Sequence, residues 1–251
     1  MIVIAMGGLS RRFQVAGYEN PKYMLPLWGS TCFDYAIGSF RSCFETEPFV
    51  FVARTVADTP EFVRARTAAL GIRDVRIVPL DAVTAGQAET VEIGLDAVGA
   101  DAETPVTIFN IDTFRPGFRH PEIPTGDGYL EVFRGSGDNW SFVDPAEEGD
   151  RTVRRTTEKE PVSDLCCTGL YTFRRADDFR EALAIDRRSQ RRLPELYVAP
   201  IYNHLIARGA DIRYVEIPRD EVIFCGVPAE YEELVGQDRP AWAAAALGSG
   251  T

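Results

Sequence analysis

Two guanidinium groups and an ammonium group lie shortly after the first apolar segment of this 251-residue chain. That segment, residues 2–6, is followed by a turn whose residues are Gly7, Gly8, Leu9, Ser10, Arg11 and Arg12, and Lys22 comes soon after. Small residues let a phosphate approach main-chain N–H groups, and Arg and Lys bind phosphate oxygens, so the pattern predicts a polyphosphate pocket and hence a nucleotide. The simpler interpretation is a strand that leaves the core through a glycine turn with surface arginines. The turn matches neither the P-loop nor the dinucleotide-binding fingerprint.

A second chemical signal is the apolar segment 106–109, which ends in Asn110 and Asp112. Ligands of open parallel sheets bind at the carboxyl ends of strands, so Asp112 is expected to face the same crevice as the first turn. Mg²⁺ prefers one or two carboxylates together with phosphates and water, and Asp112 therefore predicts a Mg²⁺ site. The alternative is that Asn110 and Asp112 only stabilise the following turn.

Two further groups of polar residues lie in positions that could bind substrates. Glu158 and Lys159 precede a glycine-containing apolar segment with Gly169 and Tyr171, where they either form a solvated edge or present charges to a substrate. Residues 84–90, which include Gly86 and Gln87, form a small-residue turn before a helix. This turn either caps the helix or offers N–H and amide groups to a nucleotide base.

The elements that would position these residues alternate between strands and helices. Apolar segments predict strands at 2–6, 48–53, 75–79 and 105–109, and helical patterns lie at 32–45, 59–70 and 86–98. This alternation is typical of an open α/β fold with a largely parallel sheet. Frequent Pro and Gly after Asp112, with short strands at 129–133 and 140–143, predict an inserted β-rich lobe for the substrate.

The predicted organisation is a single domain over residues 1–236. Its nucleotide-binding half covers about 1–112 and its acceptor-binding half about 113–236, and a C-terminal helix and tail occupy 237–251. A further helix is predicted from Tyr197 to Arg208, and residues 248–251 are expected to fray.

Composition excludes several function classes. The net charge of −11 argues against a nucleic-acid partner, and no segment approaches the length of a membrane span or signal peptide, which predicts a cytoplasmic protein. Five cysteines without a C-x-x-C pair favour reduced core thiols. The two histidines, His120 and His204, are interpreted as structural, so a hydrolase triad or a histidine metal site is not expected.

Taken in order, these motifs resemble those of the sugar-phosphate nucleotidylyltransferase family, which includes glucose-1-phosphate thymidylyltransferase. The family pattern G-x-G-[ST]-R-[FLM] followed by P-K lies over residues 8–13 and Pro21-Lys22. The resemblance continues through the Gly86 turn, Asp112, residues 158–161, Gly169-x-Tyr171 and residues 226–231. It covers nearly the whole predicted domain and implies a Rossmann-like fold with an open, mixed, mostly parallel sheet, similar to that of GT-A enzymes.

The resemblance also implies a reaction. A phosphate oxygen of a phosphorylated sugar or polyol would attack the α-phosphorus of a nucleoside triphosphate (NTP), and pyrophosphate would leave. Arg12 and Lys22 would stabilise the triphosphate, Asp112 would hold Mg²⁺, and Lys159 would bind the acceptor phosphate. Glu158 would contact acceptor hydroxyl groups, and Gly169 and Tyr171 are assigned to the same acceptor side.

Two departures from the family pattern concern the nucleotide and the metal. Ser10 replaces the second glycine of the first motif, and Arg11 replaces its Ser/Thr. Family members often carry a second metal-binding Asp two residues before the late glycine, where this chain has Phe224. Either Asp220 or Glu221 substitutes for it, or a single protein carboxylate suffices.

Other functions and finer assignments stay open from the sequence. A nucleotide-sugar-dependent glycosyltransferase would use residues 110–112 as a D-x-D-like metal motif, and a non-catalytic regulator would bind nucleotide or sugar phosphate without turnover. The N-terminal forty residues resemble a capsule or lipopolysaccharide biosynthesis subgroup, some of whose relatives use CTP. Family members are often oligomeric, so a homo-oligomer is a further expectation.

Overall fold

A computed structural model describes residues 1–122, 126–147, 149–189 and 193–248 of the chain. The strands are β1 (Ile2–Met6), β2 (Pro26–Leu27), β3 (Ser30–Thr31), β4 (Phe49–Arg54), β5 (Val75–Leu80), β6 (Val106–Asn110), β7 (Thr113–Phe114), β8 (Gly128–Arg134), β9 (Ser141–Pro145), β10 (Val153–Glu158), β11 (Leu165–Phe173), β12 (Ile212–Glu216) and β13 (Ile223–Phe224). The α-helices are α1 (Arg11–Val15), α2 (Cys32–Gly38), α3 (Thr59–Leu70), α4 (Gln87–Ala97), α5 (Ala176–Arg188), α6 (Tyr202–Ile206), α7 (Pro228–Val235) and α8 (Ala241–Leu247).

The chain divides into two compact units, each built from three stretches of sequence. Unit 1 consists of Met1–Val3, Thr84–Phe109 and Pro121–Arg219. Unit 2 consists of Ile4–Val83, Asn110–His120 and Asp220–Thr251. The boundaries predicted near residues 112 and 236 stay predictions.

Unit 2 is built on strands β1, β4 and β5, which lie side by side in that order. Strand β4 pairs parallel to β5, with Phe49 opposite Val75. Its first five residues are buried, as expected for a parallel strand covered on both faces. Helix α3 begins with Pro60 in its first turn and ends at Gly71 with φ of 78°, which are standard start and stop signals.

The core of unit 2 is rich in aromatic side chains. The indole of Trp242 in α8 meets the rings of Trp28, Tyr35 and Phe114 with centroids 5.7–6.2 Å apart. Helix α8 approaches α2 so closely that a Cβ on Gly38 would lie 2.6 Å from the carbonyl oxygen of Ala246. The C-terminal helix is therefore part of the core of unit 2, and Gly38 is required for the close approach.

Unit 1 is organised around β11, the longest strand of the described chain. Strand β11 pairs antiparallel with β6, β8 and β9, and β12 adds to β8 in parallel. All of β11 except Thr172 is buried. The ring of Phe173 stacks on Tyr202 of α6 at 4.3 Å and meets Phe179 of α5 edge-on at 5.1 Å, which fixes both helices against the sheet.

The α/β class predicted from the sequence is confirmed, with a mixed sheet of mostly parallel central strands and a β-rich insert after Asp112. Two helices are shorter than predicted. The helix expected over 32–45 ends at Gly38 because Phe40 donates to Ile37 in a tighter 3₁₀ pattern, and a 3₁₀ turn at Arg41–Cys43 follows. The helix expected over 197–208 is a 3₁₀ turn, Ala199–Ile201, followed by α6, because Pro200 lies at its start.

Three other expectations concern the ends and the thiols. All five cysteines are buried free thiols, as predicted. Helix α8 is found where the terminal helix was predicted, whereas residues 249–251 of the expected frayed tail lie outside the described residues. Within the described residues, none of the helices combines the length and apolar character needed to cross a bilayer.

Candidate active site

The first candidate group, the predicted phosphate loop at residues 7–12, joins β1 to helix α1 in unit 2. Gly7 is buried, whereas Gly8, Arg11 and Arg12 are exposed. A Cβ added at Gly8 would meet no atom within 4 Å, so the space above this backbone is open. Ser10 has a left-handed backbone with φ of 50°, the conformation for which the corresponding glycine of the resembled family is suited.

The anchor of this loop is Phe13, the residue that follows the two arginines. Its buried ring meets Tyr18 at 5.5 Å and Tyr231 of α7 at 6.2 Å, both edge-on. Tyr231 is itself fixed, because its hydroxyl donates to the carbonyl of Pro26 at 2.8 Å. The exposed guanidinium groups therefore extend from a short helix whose base is held by three aromatic rings.

Lys22 and Asp112 form an ion pair in unit 2. The Nζ of Lys22 lies 2.5 Å from Oδ2 of Asp112, although the two residues are 90 positions apart in the sequence. Lys22 begins a 3₁₀ turn, Lys22–Met24, and Asp112 lies in the turn between β6 and β7. Both side chains are about one-quarter exposed or less, so water still reaches the pair. The structure thus brings together two of the predicted catalytic residues.

A two-strand ladder places Gly226 against Asp112. Strand β13 pairs with β7, with Phe224 opposite Thr113, and the N–H of Cys225 donates to the backbone carbonyl of Asp112 at 2.8 Å. A Cβ on Gly226 would lie 3.1 Å from Oδ2 of Asp112. Glycine at this position therefore keeps space next to the carboxylate.

The structure also addresses the carboxylates considered as a second metal ligand. Glu221 lies 3.0 Å from the guanidinium of the buried residue Arg115, with which it forms an ion pair, and Asp220 lies in the adjoining 3₁₀ turn, Arg219–Glu221. Another carboxylate, that of Glu230, accepts the N–H groups of Gly226 and Val227 at 2.8 and 3.2 Å. Glu221 and Glu230 thus have protein partners of their own, and the identity of a second metal ligand stays a prediction.

The predicted acceptor residues of unit 1 lie at the end of β10. Ser141 donates its hydroxyl to the carboxylate of Glu158, and the phenol of Tyr171 hydrogen-bonds to the same serine. Burial raises the pKa of Glu158 above its usual value, and burial raises the pKa of Tyr171 more strongly. Tyr171 is thus buried inside the unit, and Ser141 links its hydroxyl to the carboxylate of Glu158.

Lys159 has a different partner. Its Nζ donates to the hydroxyl of Tyr197 at 3.1 Å and also lies 5.1 Å from the centroid of that ring. The hydrogen bond to Tyr197 raises the pKa of Lys159, so the ammonium keeps its charge. The backbone of Lys159 is left-handed, with φ of 55°, and its N–H donates to Trp140 at 2.9 Å. This conformation sends the side chains of Glu158 and Lys159 to separate partners.

Gly169 and Gly86 each meet a steric requirement of unit 1. Gly169 has φ of 95° in a bulge of β11, where the register against β8 shifts between Cys167 and Tyr171. A Cβ on Gly86 would lie 2.5 Å from the backbone nitrogen of Leu196. Both glycines therefore have a structural reason for their identity.

Several polar groups of the turn around Gly86 already hydrogen-bond to other protein groups. Ala88 N–H donates to Leu196, Ala85 N–H donates to the carboxylate of Glu89, and the hydroxyls of Thr84 and Thr90 hydrogen-bond to each other. Gln87 opens helix α4. The predicted contact with a nucleotide base, by Gly86, Gln87 and Asn110, stays a prediction.

A solved nucleoside-diphosphate-sugar pyrophosphorylase from Vibrio cholerae RC9 is 49% identical to this chain, with a TM-score of 0.89, and the match covers 94% of this chain and 100% of that one. The chain belongs to the sugar-phosphate nucleotidylyltransferase family. No protein-family model matches the chain, and no curated protein matches it.

Two more distant members of this fold show how widely the nucleotidylyltransferase architecture extends. The inositol-1-phosphate CTP transferase from T. maritima superposes with a TM-score of 0.67 at 15% identity, covering 96% of each chain. A UDP-glucose pyrophosphorylase from Acinetobacter baumanii has the same TM-score and identity, covering 96% of this chain and 94% of that one. At this identity the likeness shows the fold alone.

Three polar residues contact the predicted site residues or their neighbours, and the sequence alone assigns no role to them. Tyr197 holds Lys159, Ser141 holds Glu158, and Glu230 accepts the N–H groups that follow Cys225. Glu230 was part of a quoted motif, and its position just inside a helix start after Pro228 is a typical capping signal. The contacts of Tyr197 and Ser141 span 38 and 17 residues, and no local pattern marks them.

Trp140, whose carbonyl accepts the N–H of Lys159, packs against its own sheet. Its ring meets Phe133 edge-on at 5.2 Å, and its indole N–H donates to Ser136 at 3.2 Å.

Proposed function

We propose that this nucleotidylyltransferase joins an NTP to a sugar 1-phosphate or a similar phosphorylated acceptor and releases pyrophosphate. The observation that carries the proposal is the 49% identity to a nucleoside-diphosphate-sugar pyrophosphorylase along the full length of that protein. The Lys22–Asp112 pair beside Gly226 supports it, because a cation and a carboxylate with open space next to them suit a triphosphate and its metal.

The residues proposed for the triphosphate all lie in unit 2. Arg12 offers planar donors to phosphate oxygens, Lys22 offers a movable ammonium, and the open backbone at Gly8 admits a phosphate close to main-chain N–H groups. As the α–β phosphoanhydride bond breaks, negative charge accumulates on the departing pyrophosphate. Arg12 and Lys22 are the cations that would neutralise this charge.

We infer that the Lys22–Asp112 ion pair opens when substrate binds. Lys22 would then donate to a phosphate oxygen, and the carboxylate of Asp112 would be the residue that holds Mg²⁺. The donor set fits Mg²⁺, which accepts a single protein carboxylate with phosphate oxygens and water completing its shell. When bound, Mg²⁺ would neutralise charge on the triphosphate and orient it.

The residues proposed for the acceptor lie in unit 1. Lys159, held by Tyr197, would bind the acceptor phosphate, and Glu158, held by Ser141, would accept hydrogen bonds from sugar or polyol hydroxyls. A half-buried carboxylate discriminates strongly between acceptors, because an acceptor that lacks the matching hydroxyl leaves the carboxylate without that hydrogen-bond donor.

The proposed chemistry needs no histidine base. The acceptor phosphate is already ionised near neutral pH, so its oxygen attacks the α-phosphorus without proton transfer, and the electron pair of the broken bond leaves on pyrophosphate. Catalysis then rests on alignment and charge neutralisation. This is consistent with the placement of His204, whose ring hydrogen-bonds to the carboxylate of Asp186 at 2.9 Å in unit 1.

A pyrophosphate-release screen tests the proposal. CTP, dTTP, UTP, GTP and ATP are each incubated with Mg²⁺ and a panel of phosphorylated sugars and polyols. We expect pyrophosphate and a nucleoside diphosphate-linked product in equal amounts for at least one pair. Release of a nucleoside diphosphate from a nucleotide sugar would instead identify a glycosyltransferase. Nucleotide binding without turnover across the panel would favour a regulator.

Four finer statements are part of the same proposal. The protein uses Mg²⁺, acts in the cytoplasm, supplies nucleotide sugars for capsule or lipopolysaccharide precursors, and assembles as a homo-oligomer. The sequence resemblance supports the first, the third and the last of them. Metal replacement in the same screen and light scattering of the purified protein test the first and the last.

A further inference from the structure

A cluster of three metal-binding side chains lies in unit 2, formed by Cys43, Glu47 and His120. The N–H of Glu47 donates to the carbonyl of Cys43 at 2.9 Å, which closes one helical turn after the 3₁₀ segment Arg41–Cys43. Residues four apart on such a turn project their side chains to the same side. The thiol and the carboxylate are therefore neighbours by local geometry.

His120 comes from a distant part of the chain and completes the cluster. Its Nε2 lies 2.6 Å from Oε1 of Glu47, 73 residues away, and its ring hydrogen-bonds to the thiol of Cys43 as well. One ligand atom from each of the three residues lies within 4.8 Å of the other two. The three groups already point at one another before any ion is present.

The segment that carries His120 is fixed by the residue two positions before it. The N–H of Phe118 donates to Ser39 at 3.1 Å, and its carbonyl accepts the hydroxyl of Ser42 at 2.9 Å. The ring of Phe118 packs on Phe40 at 4.8 Å and meets the imidazole of His120 edge-on at 5.1 Å. The position of His120 thus depends on the same short segment that carries Cys43.

The donor set selects one class of ion. Sulfur, nitrogen and carboxylate oxygen together suit Zn²⁺ and similar transition metals, whereas Mg²⁺ and Ca²⁺ prefer oxygen alone. Ligand bonds of about 2.0–2.3 Å around Zn²⁺ place its donors roughly 3–4 Å apart. The 2.6 Å contact between His120 and Glu47 would therefore have to lengthen on binding, and donor pairs near the 4.8 Å limit would have to shorten, each by roughly 1 Å. Three protein ligands leave the fourth position to water.

We propose that Cys43, Glu47 and His120 form a binding site for Zn²⁺ or a similar divalent transition metal. Cys43 is buried, Glu47 is half-buried and His120 is exposed, so the ion has a path from solvent to the thiol. Binding releases the thiol proton of Cys43 and any proton that His120 shares with Glu47, because each ligand must be deprotonated. The site is independent of the proposed nucleotidyl transfer and of Asp112.

Cobalt titration of the purified full-length protein tests the proposal. Co²⁺ bound to a thiolate gives a sulfur-to-metal charge-transfer band in the near ultraviolet, and Zn²⁺ added afterwards should remove it. We expect one Co²⁺ per chain. We also expect Cys43→Ser to abolish the band, and His120→Ala or Glu47→Gln to weaken affinity by at least about 10- to 100-fold.

Two controls separate this site from other binding. His204→Ala removes the other histidine, which also pairs with a carboxylate, Asp186, and it should leave Co²⁺ affinity unchanged. Asp112→Asn should likewise leave the charge-transfer band intact. Circular dichroism melting shows that each variant is folded, and His120→Ala, at an exposed position, carries the test if Cys43→Ser does not fold. A band that persists in Cys43→Ser, unchanged affinity in folded His120→Ala, or no band in the parent overturns the proposal.

Discussion

The two units hold their candidate lysines in opposite ways. In unit 2 the ammonium of Lys22 rests on the carboxylate of Asp112 at 2.5 Å, so each charge neutralises the other. In unit 1 the ammonium of Lys159 rests on the neutral hydroxyl of Tyr197, and the adjacent carboxylate of Glu158 accepts from the neutral hydroxyl of Ser141. In the proposed function the first arrangement opens when substrate binds, whereas the second keeps its charges oriented and available. The comparison predicts that substitutions in unit 2 mainly affect turnover and those in unit 1 mainly affect acceptor binding.

The largest expected effect is that of Asp112→Asn. It removes the proposed metal ligand and leaves Lys22 without its partner, so kcat/KM for pyrophosphate release should fall by roughly 10²–10³-fold, comparable to the loss of one electrostatic contact to the transition state. Glu221→Gln is the matched control, because it alters a carboxylate that pairs with Arg115. Equal losses of kcat/KM in both variants would show that the Lys22–Asp112 pair has no particular role in turnover.

The next effect distinguishes two neighbouring arginines. Arg12→Ala should lower kcat/KM by about 10- to 100-fold, since charged hydrogen bonds contribute about 1.5–3 kcal/mol. Arg11→Ala, at an equally exposed neighbouring position of α1, should have a smaller effect. Steady-state kinetics with the preferred NTP provides the measurement, and the reverse ranking would move the role to Arg11.

Glu158→Gln should separate stability from activity. Because the pKa of Glu158 is raised in the folded protein, its charged form is disfavoured there, and the parent loses stability relative to the Gln variant as pH rises through that pKa. The two proteins should melt together at acid pH, and the variant should melt higher at pH 8. Acceptor kcat/KM should fall by about 10- to 100-fold. A variant that melts lower at pH 8 contradicts this account.

Tyr197→Phe should have a smaller and more selective effect. It removes the hydroxyl that positions Lys159 and keeps the ring beneath the ammonium. A net hydrogen bond of about 0.5–1.5 kcal/mol corresponds to a 2- to 10-fold rise in acceptor KM, with the KM for NTP unchanged. Lys159→Met measured alone and together with Tyr197→Phe completes a cycle, and additive effects would show that Tyr197 does not act through Lys159.

The smallest effect is expected for Ser10→Gly. A left-handed residue with a Cβ costs about 1–2 kcal/mol, and glycine adds about 0.4–1 kcal/mol of chain entropy to the unfolded state, so stability should rise by about 1 kcal/mol or less. Asp58→Gly, with φ of 51° in the same unit, is the control for strain alone. Only Ser10→Gly should also change the KM for NTP. An equal change in Asp58→Gly would show that the loop at residues 7–12 has no particular role in NTP binding.

The sequence predicted the elements well where the local signals were complete. Helix α3 is found at Thr59–Leu70, as predicted, because Pro60 and Gly71 mark its ends and its buried residues recur at helical spacing. Helix α2 is shorter than predicted, because a 3₁₀ hydrogen bond from Phe40 to Ile37 ends it and Gly38 packs against Ala246, a tertiary contact that no local pattern marks. The family was predicted correctly from ordered motifs rather than from any one of them.

The residue types of the candidate site could be predicted from the sequence, but the contacts that its residues make could not. Lys22 and Asp112 were both identified, yet their direct contact spans 90 residues and no sequence pattern specifies it. The same holds for Tyr197 under Lys159 and for His120 beside Cys43. Such contacts depend on how strands and turns pack, so the sequence alone could not predict that Glu221 pairs with Arg115.

The three-stretch construction of unit 2 has a consequence for biosynthesis. A ribosome adds about 5–20 residues per second, so Gly226 is made on the order of ten seconds after Asp112. Until β13 arrives, the backbone carbonyl of Asp112 lacks the N–H of Cys225, and α8 is not yet available to cover Tyr35 and Phe114. A nascent chain therefore carries the early motifs in an incomplete unit until β13 and α8 have been made.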